Sequence, residues 1–292
     1  MEYPEHSPAQ LPSEAAPASL PAFDFETGEV LLVDKPLTWS SFDVVRKVKN
    51  TLRIKKIGHA GTLDPLATGL LILCTGKKTK EIDQIQAQEK EYTGTFRLGQ
   101  TTPSFDLETP VDQELPYEHL TEEQLRAALL PFIGLIEQTP PLFSAVKVNG
   151  ERAYEVARRG GEAEIKSKQI TIREFELTRI ALPEVDFRVT CSKGTYIRSL
   201  ARDFGAALGV GAHLTKLVRT RIGQYSLTDA LTMEAIQALR PPRPAGEAER
   251  PERPRRQRQP ERRAGLDYFN ATHAAPTPPS GEEPQQALGS TL

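Results

Sequence analysis

Between Ile57 and Gly76 the chain reads IGHAGTLDPLATGLLILCTG, and no other stretch limits the fold so strongly. Its first half is built of small or rigid residues, Ala60, Gly61, Thr62, Pro65, Ala67, Thr68 and Gly69, around a single carboxylate, Asp64. Such a loop lets another backbone come close. The LLILC that follows is a short apolar run of the kind that forms a fully buried strand, so Asp64 is expected at the mouth of a sheet. From Arg46 to Lys80 there are nine Lys or Arg, and Asp64 is the only acid. One carboxylate amid that much positive charge points to chemistry on a polyanion. The plainer alternative is an aspartate that caps a turn, because Asp-Pro commonly starts one.

The ends of the chain cannot extend this fold. Residues 1–22 hold five prolines and no periodic apolar face, and they lack the pattern of a signal peptide. Residues 241–292 hold ten prolines, with eight arginines before Ala264. Both are expected to be disordered, which leaves residues 23–240 as one domain large enough to bury a proper core. The net charge of -2 hides segregation: seven acids and no Lys or Arg from Asp106 to Glu123, seven Lys or Arg against Asp203 alone from Arg188 to Arg221. The second stretch, with the bases from Arg46 to Lys56, is expected to hold phosphates. Cys74 and Cys191 are the only cysteines, so neither a disulfide framework nor a zinc site is indicated. No apolar run approaches the length of a membrane span, and a soluble cytoplasmic monomer is the expectation.

Along the chain, EVLLVDKP reads as a strand stopped by Pro36, with Lys35 at its end as a candidate phosphate contact. SSFDVVRKVKNTL follows as a helix with Phe42, Val45, Val48 and Leu52 inward and a capping box at Ser40 and Asp43. EKEYTGTFRLG alternates as a half-buried strand that begins near Tyr92. TEEQLRAALLPF reads as a helix burying Leu125, Leu129 and Phe132. Residues 137–161 read as a protruding segment whose Lys147, Arg152, Arg158 and Arg159 clamp a nucleic acid, although four nearby glutamates equally suit a solvated hairpin. Two long strands follow, KQITIREFELTRI and EVDFRVTCSKGT. GTYIRSLARDFGAALG is then a helix with Ile197, Leu200, Phe204 and Leu208 on one face. Arg198 lies in its first turn, where the helix dipole disfavours a cation, and an anionic partner such as Asp64 would explain it. HLTKLVRTRIGQYSL returns as a strand pair, and TMEAIQAL closes the domain.

DKPLTWSS, GHAGTLDPLATG, KEYTGTFRLG, FSAVKVNGERAYEVAR and CSKGTYIRSLARDFG occur in that order, and with them the chain closely resembles the TruB-type pseudouridine synthases, which make pseudouridine 55 in the T arm of transfer RNA. The resemblance spans residues 29–240. It implies an α+β pseudouridine synthase fold, a mixed and largely antiparallel sheet with flanking helices and a catalytic cleft. It implies Asp64 as nucleophile, Arg198 as its salt-bridge partner and Tyr92 as the ring that stacks on the flipped-out uracil. Leu217 then lines the base pocket, and His59 fills the space the flipped nucleotides vacate. No metal and no organic cofactor is implied, and the partner is the T arm of transfer RNA.

Two departures stand out. Thr38 occupies a position where the family carries glycine, so a differently shaped turn is expected because threonine resists a positive φ. Many family members carry a C-terminal PUA RNA-binding domain, and here only the Pro- and Arg-rich tail is expected in its place. Two other readings fit the same basic loop: an RNA-binding or RNA-folding protein with a structural Asp64, and an enzyme of the same chemistry acting on ribosomal RNA.

Overall fold

The computed structural model describes residues 23–241, apart from 145, 149, 160, 162 and 163. The expectations placed on 1–22 and 242–292 lie outside the described residues. In chain order the elements are β1 (Val30–Lys35), α1 (Ser41–Thr51), β2 (Ile57–His59), β3 (Thr68–Thr75), α2 (Ile82–Ala87), β4 (Lys90–Leu98), β5 (Gln100–Thr101), β6 (Gln113–Glu114), α3 (Glu122–Ala127) and β7 (Gly134–Gln138). Then come β8 (Lys147–Val148), β9 (Glu151–Arg152), α4 (Ala153–Arg158), β10 (Lys168–Ala181), β11 (Glu184–Cys191), α5 (Ile197–Ala207), β12 (Ala212–Ile222), β13 (Tyr225–Ser226) and α6 (Met233–Ala238).

Nine strands form one sheet in the order β1-β3-β12-β4-β11-β10-β7, with β2 beside β3 and β13 beside β12. Only the β12–β3 pairing is parallel, which gives the expected mixed, largely antiparallel α+β architecture. The LLILC run is continuous because β3 is buried on both faces. Its Leu71 and Leu73 pack under α1, and its Leu70, Ile72 and Cys74 pack against Ile85 of α2 and Ile222.

Toward β4, β11 and β10, α5 joins an aromatic core in which Phe96 and Phe187 stack with ring centroids 4.1 Å apart, with Phe175 and Phe204 set against them. Burial of side chains this size contributes about 1.5–3 kcal/mol each. This layer fixes the start of α5 against the middle of the sheet.

Two helices differ from their expected form. The capping box of α1 is present, yet its buried stripe is Ser41, Val44, Val45 and Val48, while Phe42 is 64% exposed. A helical pitch sets 44, 48 and 52 in line and turns 42 outward. The helix expected over 121–132 stops at Ala127 and resumes as a short 3-10 turn over Leu130–Phe132. Pro131 causes the break, since it has no N–H and its ring meets the carbonyl of residue 127. Leu125 and Leu129 are buried as expected.

Candidate active site

The loop that carries Asp64 enters β3 where β3 meets β12 in parallel, with Gly69 opposite Arg219. Gly69 has φ 97°, and a Cβ there would fall 2.4 Å from the Arg219 carbonyl oxygen. Only glycine allows that approach.

Buried polar side chains hold the loop from behind. The Ser41 hydroxyl accepts from the Leu63 N–H at 2.8 Å and donates to the Leu63 carbonyl at 3.1 Å. Arg219, 1% exposed, donates through Nε to the Leu70 carbonyl at 2.8 Å and through its two Nη atoms to the carbonyls of Thr62 and Gly61 at 3.3 and 3.2 Å. Lys35 donates to the carbonyls of Pro36 and Trp39 at 2.9 and 2.6 Å, with Pro65 at 3.4 Å. Lys35 was expected at a phosphate; instead it is enclosed, because it shares the inward phase of β1 with Leu31 and Val33. Burial pushes its ammonium down to about 8, with Asp64 opposing the shift.

Thr38 also departs from expectation. It takes φ 68°, the left-handed conformation a glycine would adopt, and its N–H donates to the Pro65 carbonyl at 2.8 Å. The turn keeps its shape and the threonine carries the strain.

Asp64, half-exposed, faces a cleft lined by Asp106, Arg198, Leu66, Ala67, Leu214 and Leu217 among others. Arg198 Nε lies 2.9 Å from Asp64 Oδ2 and 3.6 Å from Asp106 Oδ2. The Nε hydrogen is not aimed at either oxygen, so these contacts are ion pairs rather than aligned hydrogen bonds. Both Nη atoms donate to backbone, at Ser104 (3.3 Å) and Phe143 (3.0 Å). Burial works against the Arg198 charge, but Asp64 and Asp106 more than offset it and hold the guanidinium above its ordinary value. The start of α5 has no side-chain cap of its own; Gln138 of β7 supplies one by bonding both the N–H and the carbonyl of Tyr196.

Sequence reasoning missed two residues, Asp106 and Arg219. Asp106 is buried and its carboxyl is pushed up to about 6 by burial, against the pull of Arg198. It was hidden in an acidic run that reads as a solvated face. The signal available was TPSFD, a short turn in which Phe105 takes φ 62° and its carbonyl accepts from the Leu214 N–H at 2.9 Å. Arg219 was hidden in the basic run from Arg188 to Arg221. That run is largely engaged within the protein: Arg188 pairs with Glu91, Glu174 and Glu176, Arg202 with Asp203 and Arg221 with Glu91, while Arg198 and Arg219 are buried. The bases of the first run, Arg46, Lys49, Lys55 and Lys56 among them, are exposed on and after α1.

The structure thus brings Asp64, Arg198 and Leu217 to one cleft. Tyr92 lies opposite Arg219 in the β4–β12 ladder and is 8% exposed; burial raises its hydroxyl's pKa and Arg219 opposes the rise. His59 is half-buried on β2, its Nδ1 without a hydrogen-bond partner, and burial followed by Arg219 keeps it more readily neutral than usual. Lys147, Arg152 and Arg158 stand on β8, β9 and α4, and their side chains lie outside what is described. The segment that leads to them is rooted beside the cleft through the Phe143 carbonyl, which accepts from Arg198 at 3.0 Å.

The chain is similar to known proteins. The family described as TruB family pseudouridylate synthase (N terminal domain) matches residues 49–197, and the tRNA pseudouridylate synthase B C-terminal domain matches residues 198–242. The tRNA pseudouridine synthase B of Flavobacterium johnsoniae is 59% identical over 215 residues, 71% of this chain and 94% of that protein. Its namesake in Phocaeicola vulgatus is 56% identical over 218 residues, 73% of this chain and 93% of that protein. Among solved structures, the archaeal box H/ACA sRNP Nop10-Cbf5 complex contains a chain that is 27% identical with a TM-score of 0.55, covering 73% of this chain and 54% of that one. A Cbf5-Nop10-Gar1 complex gives 31% identity and a TM-score of 0.55 over 72% of this chain and 53% of that one. This chain therefore spans about half the length of those two solved chains. Among the described residues no helix is long and apolar enough to cross a membrane.

Proposed function

We propose that this chain, which belongs to the TruB family of pseudouridylate synthases, isomerises uridine 55 to pseudouridine in the T loop of cytoplasmic transfer RNA, with Asp64 as the reactive carboxylate and residues 23–240 as the catalytic unit. The relatives named tRNA pseudouridine synthase B, matched over more than nine-tenths of their length, support the substrate. The observation that carries the mechanism is the half-exposed Asp64 carboxylate, 2.9 Å from a buried arginine at the floor of a cleft.

A uridine in a folded loop must leave its stack before any side chain reaches its sugar, at a cost of a few kcal/mol. Stacking on Tyr92 recovers about 1–3 kcal/mol of that. Tyr92 is 8% exposed in the free protein, so stacking needs its ring face to be uncovered as the base enters. Leu217 and Leu214 offer the apolar wall. As the base shuts out water, Arg198 balances the negative charge of Asp64 in the enclosed site.

The reaction breaks the C1'–N1 bond, turns the uracil and joins C5 to C1'. The proton on C5 is lost and N1 gains one, so the product is an isomer and nothing is oxidised or reduced. Asp64 serves either by attacking C1' or by taking the 2' proton to give a glycal; both routes need a carboxylate held at the ribose. No step calls for a metal or an organic cofactor. The exposed bases of α1 and the loop after it, and the segment around Lys147, Arg152 and Arg158, supply phosphate contacts, with His59 near the loop.

The test is conversion of a T-arm stem-loop and of full transfer RNA by the purified chain, with pseudouridine mapped at each position. Conversion confined to position 55 is expected. Conversion of a ribosomal fragment with none at that position favours the ribosomal alternative, and binding without any conversion favours the RNA-binding one.

A further inference from the structure

We propose that Arg219 is a positioning residue that ties the Asp64 loop to Tyr92, so that the reactive carboxylate and the base-stacking ring keep one relative geometry. This rests on the pseudouridine synthase reading above.

Arg219 occupies the central crossing of the sheet. In the antiparallel ladder it faces Tyr92, and in the parallel ladder it faces Gly69. Cross-strand partners in a ladder share a face, so its side chain lies beside the Tyr92 ring. From there the guanidinium reaches both limbs of the loop: Gly61 and Thr62 before Asp64, and Leu70 after it. It therefore closes the neck of the loop from the same point at which it touches the tyrosine. The electrostatic pull that it exerts on the Tyr92 hydroxyl is a second sign of that proximity.

The chemistry of the contact is unusual. Its three hydrogen-bond acceptors are neutral carbonyls, and no ion pair accompanies them among the described contacts. Burying a cation in this way is costly, and a core needing only stability would do better with an apolar side chain. What the guanidinium adds is a rigid fork that bonds several acceptors in fixed directions, which a lysine cannot reproduce. The nearby Arg221 makes the contrast: it is partly exposed and pairs with Glu91.

The experiment uses the full chain with Arg219→Lys, Tyr92→Phe and the double variant. Pseudouridine formation in a T-arm stem-loop is followed with enzyme in excess, and RNA affinity is measured separately. Arg219→Lys should slow conversion about 10- to 100-fold, as expected for a small misplacement of reacting groups. Its RNA affinity should stay within about twofold, since phosphate contacts dominate binding. If both residues act through one link, the double variant should be about as slow as the slower single variant, whereas independent roles multiply. A wild-type rate in Arg219→Lys, multiplicative slowing, or loss of affinity in step with rate overturns the proposal. So does an Arg219→Lys protein that fails to fold, because buried Lys35 and Lys90 show that this interior accepts ammonium groups, and the residue would then serve the fold alone. Absence of conversion by the unaltered chain overturns the functional reading instead.

Discussion

The Asp64 loop and the segment from Lys147 to Arg159 both concentrate charge, and they hold it in opposite ways. Around the loop the cations are enclosed: Lys35 and Arg219 on backbone carbonyls, Arg198 between two carboxylates. In the second segment the Arg159–Glu151 pair, 2.6 Å apart, leaves both side chains more than half exposed. An exposed pair of this kind contributes about 0–1 kcal/mol and is screened by salt. Enclosed contacts are far dearer to break, because a desolvated group is left unpaired. The loop is thus held in one geometry, while the pair in the segment is cheap to exchange. On the proposed function the first region would carry the chemistry and the second the grip on phosphates.

The strongest attempt to break this division is Asp64→Asn. The amide keeps size and hydrogen-bonding ability but removes charge and nucleophilicity. Conversion with enzyme in excess should fall by at least about a thousandfold, with RNA affinity nearly intact. Wild-type conversion would return Asp64 to a turn-capping role, which asparagine fills at little cost.

A second test reads the electrostatics of the cleft. The Asp106 carboxyl sits at about 6 in the folded chain against an ordinary 3.8. A raised carboxyl lends stability in its protonated form, so that stability is full below about pH 3.8 and lost as pH rises through about 6. The shift corresponds to about 3 kcal/mol. Asp106→Asn removes the titration, so between pH 4 and pH 7.5 the variant should gain roughly that much on the unaltered chain in paired denaturant titrations. A constant difference across that range would mean that Asp106 is not buried as a titrating group.

The grip is tested more gently. Arg159→Glu should raise the Kd for a T-arm stem-loop about three- to tenfold at low salt and leave turnover at saturation unchanged. Lys166→Glu, beyond that segment, should do less. Equal effects, or a loss of saturated turnover from Arg159→Glu, would dissolve the distinction between the two regions.

How far all this could be read from the sequence follows the same division. Elements with a plain period were legible: β3 as a continuous apolar run, β4 and β10 by alternation, α5 by its stripe. Asp64, Arg198 and Leu217 were placed by motif, and they meet in one cleft. What was not legible is which charged residues turn inward. Lys35, Arg219 and Asp106 look in sequence like surface residues, because partners that enclose them lie far along the chain: the Pro65 carbonyl 30 positions from Lys35, the Leu70 and Gly61 carbonyls 149 and 158 from Arg219, and the Arg198 guanidinium beside Asp106. Composition suggests solvation for such residues; only the crossing of β3 and β12 encloses them. The basic run from Arg188 to Arg221 misled for the same reason, since its acidic partners lie on β4 and β10.

The smallest expected effect lies within the rigid region. Thr38 holds φ 68° so that its N–H can reach the Pro65 carbonyl beside Asp64. A residue with a Cβ spends about 1–2 kcal/mol to stay in the left-handed region, more readily tolerated by glycine. Thr38→Gly relieves that strain but frees the unfolded chain, which costs about 0.4–1 kcal/mol. The difference leaves a net gain of at most about 1.6 kcal/mol, at about 2–4 °C in Tm per kcal/mol for a domain this size. The N–H bond to Pro65 survives the substitution, so the rate of conversion should not change. A variant that is more stable but slower would mean that the threonine side chain itself holds the loop in register, and that the geometry at Asp64 depends on strain as well as on the buried cations behind it.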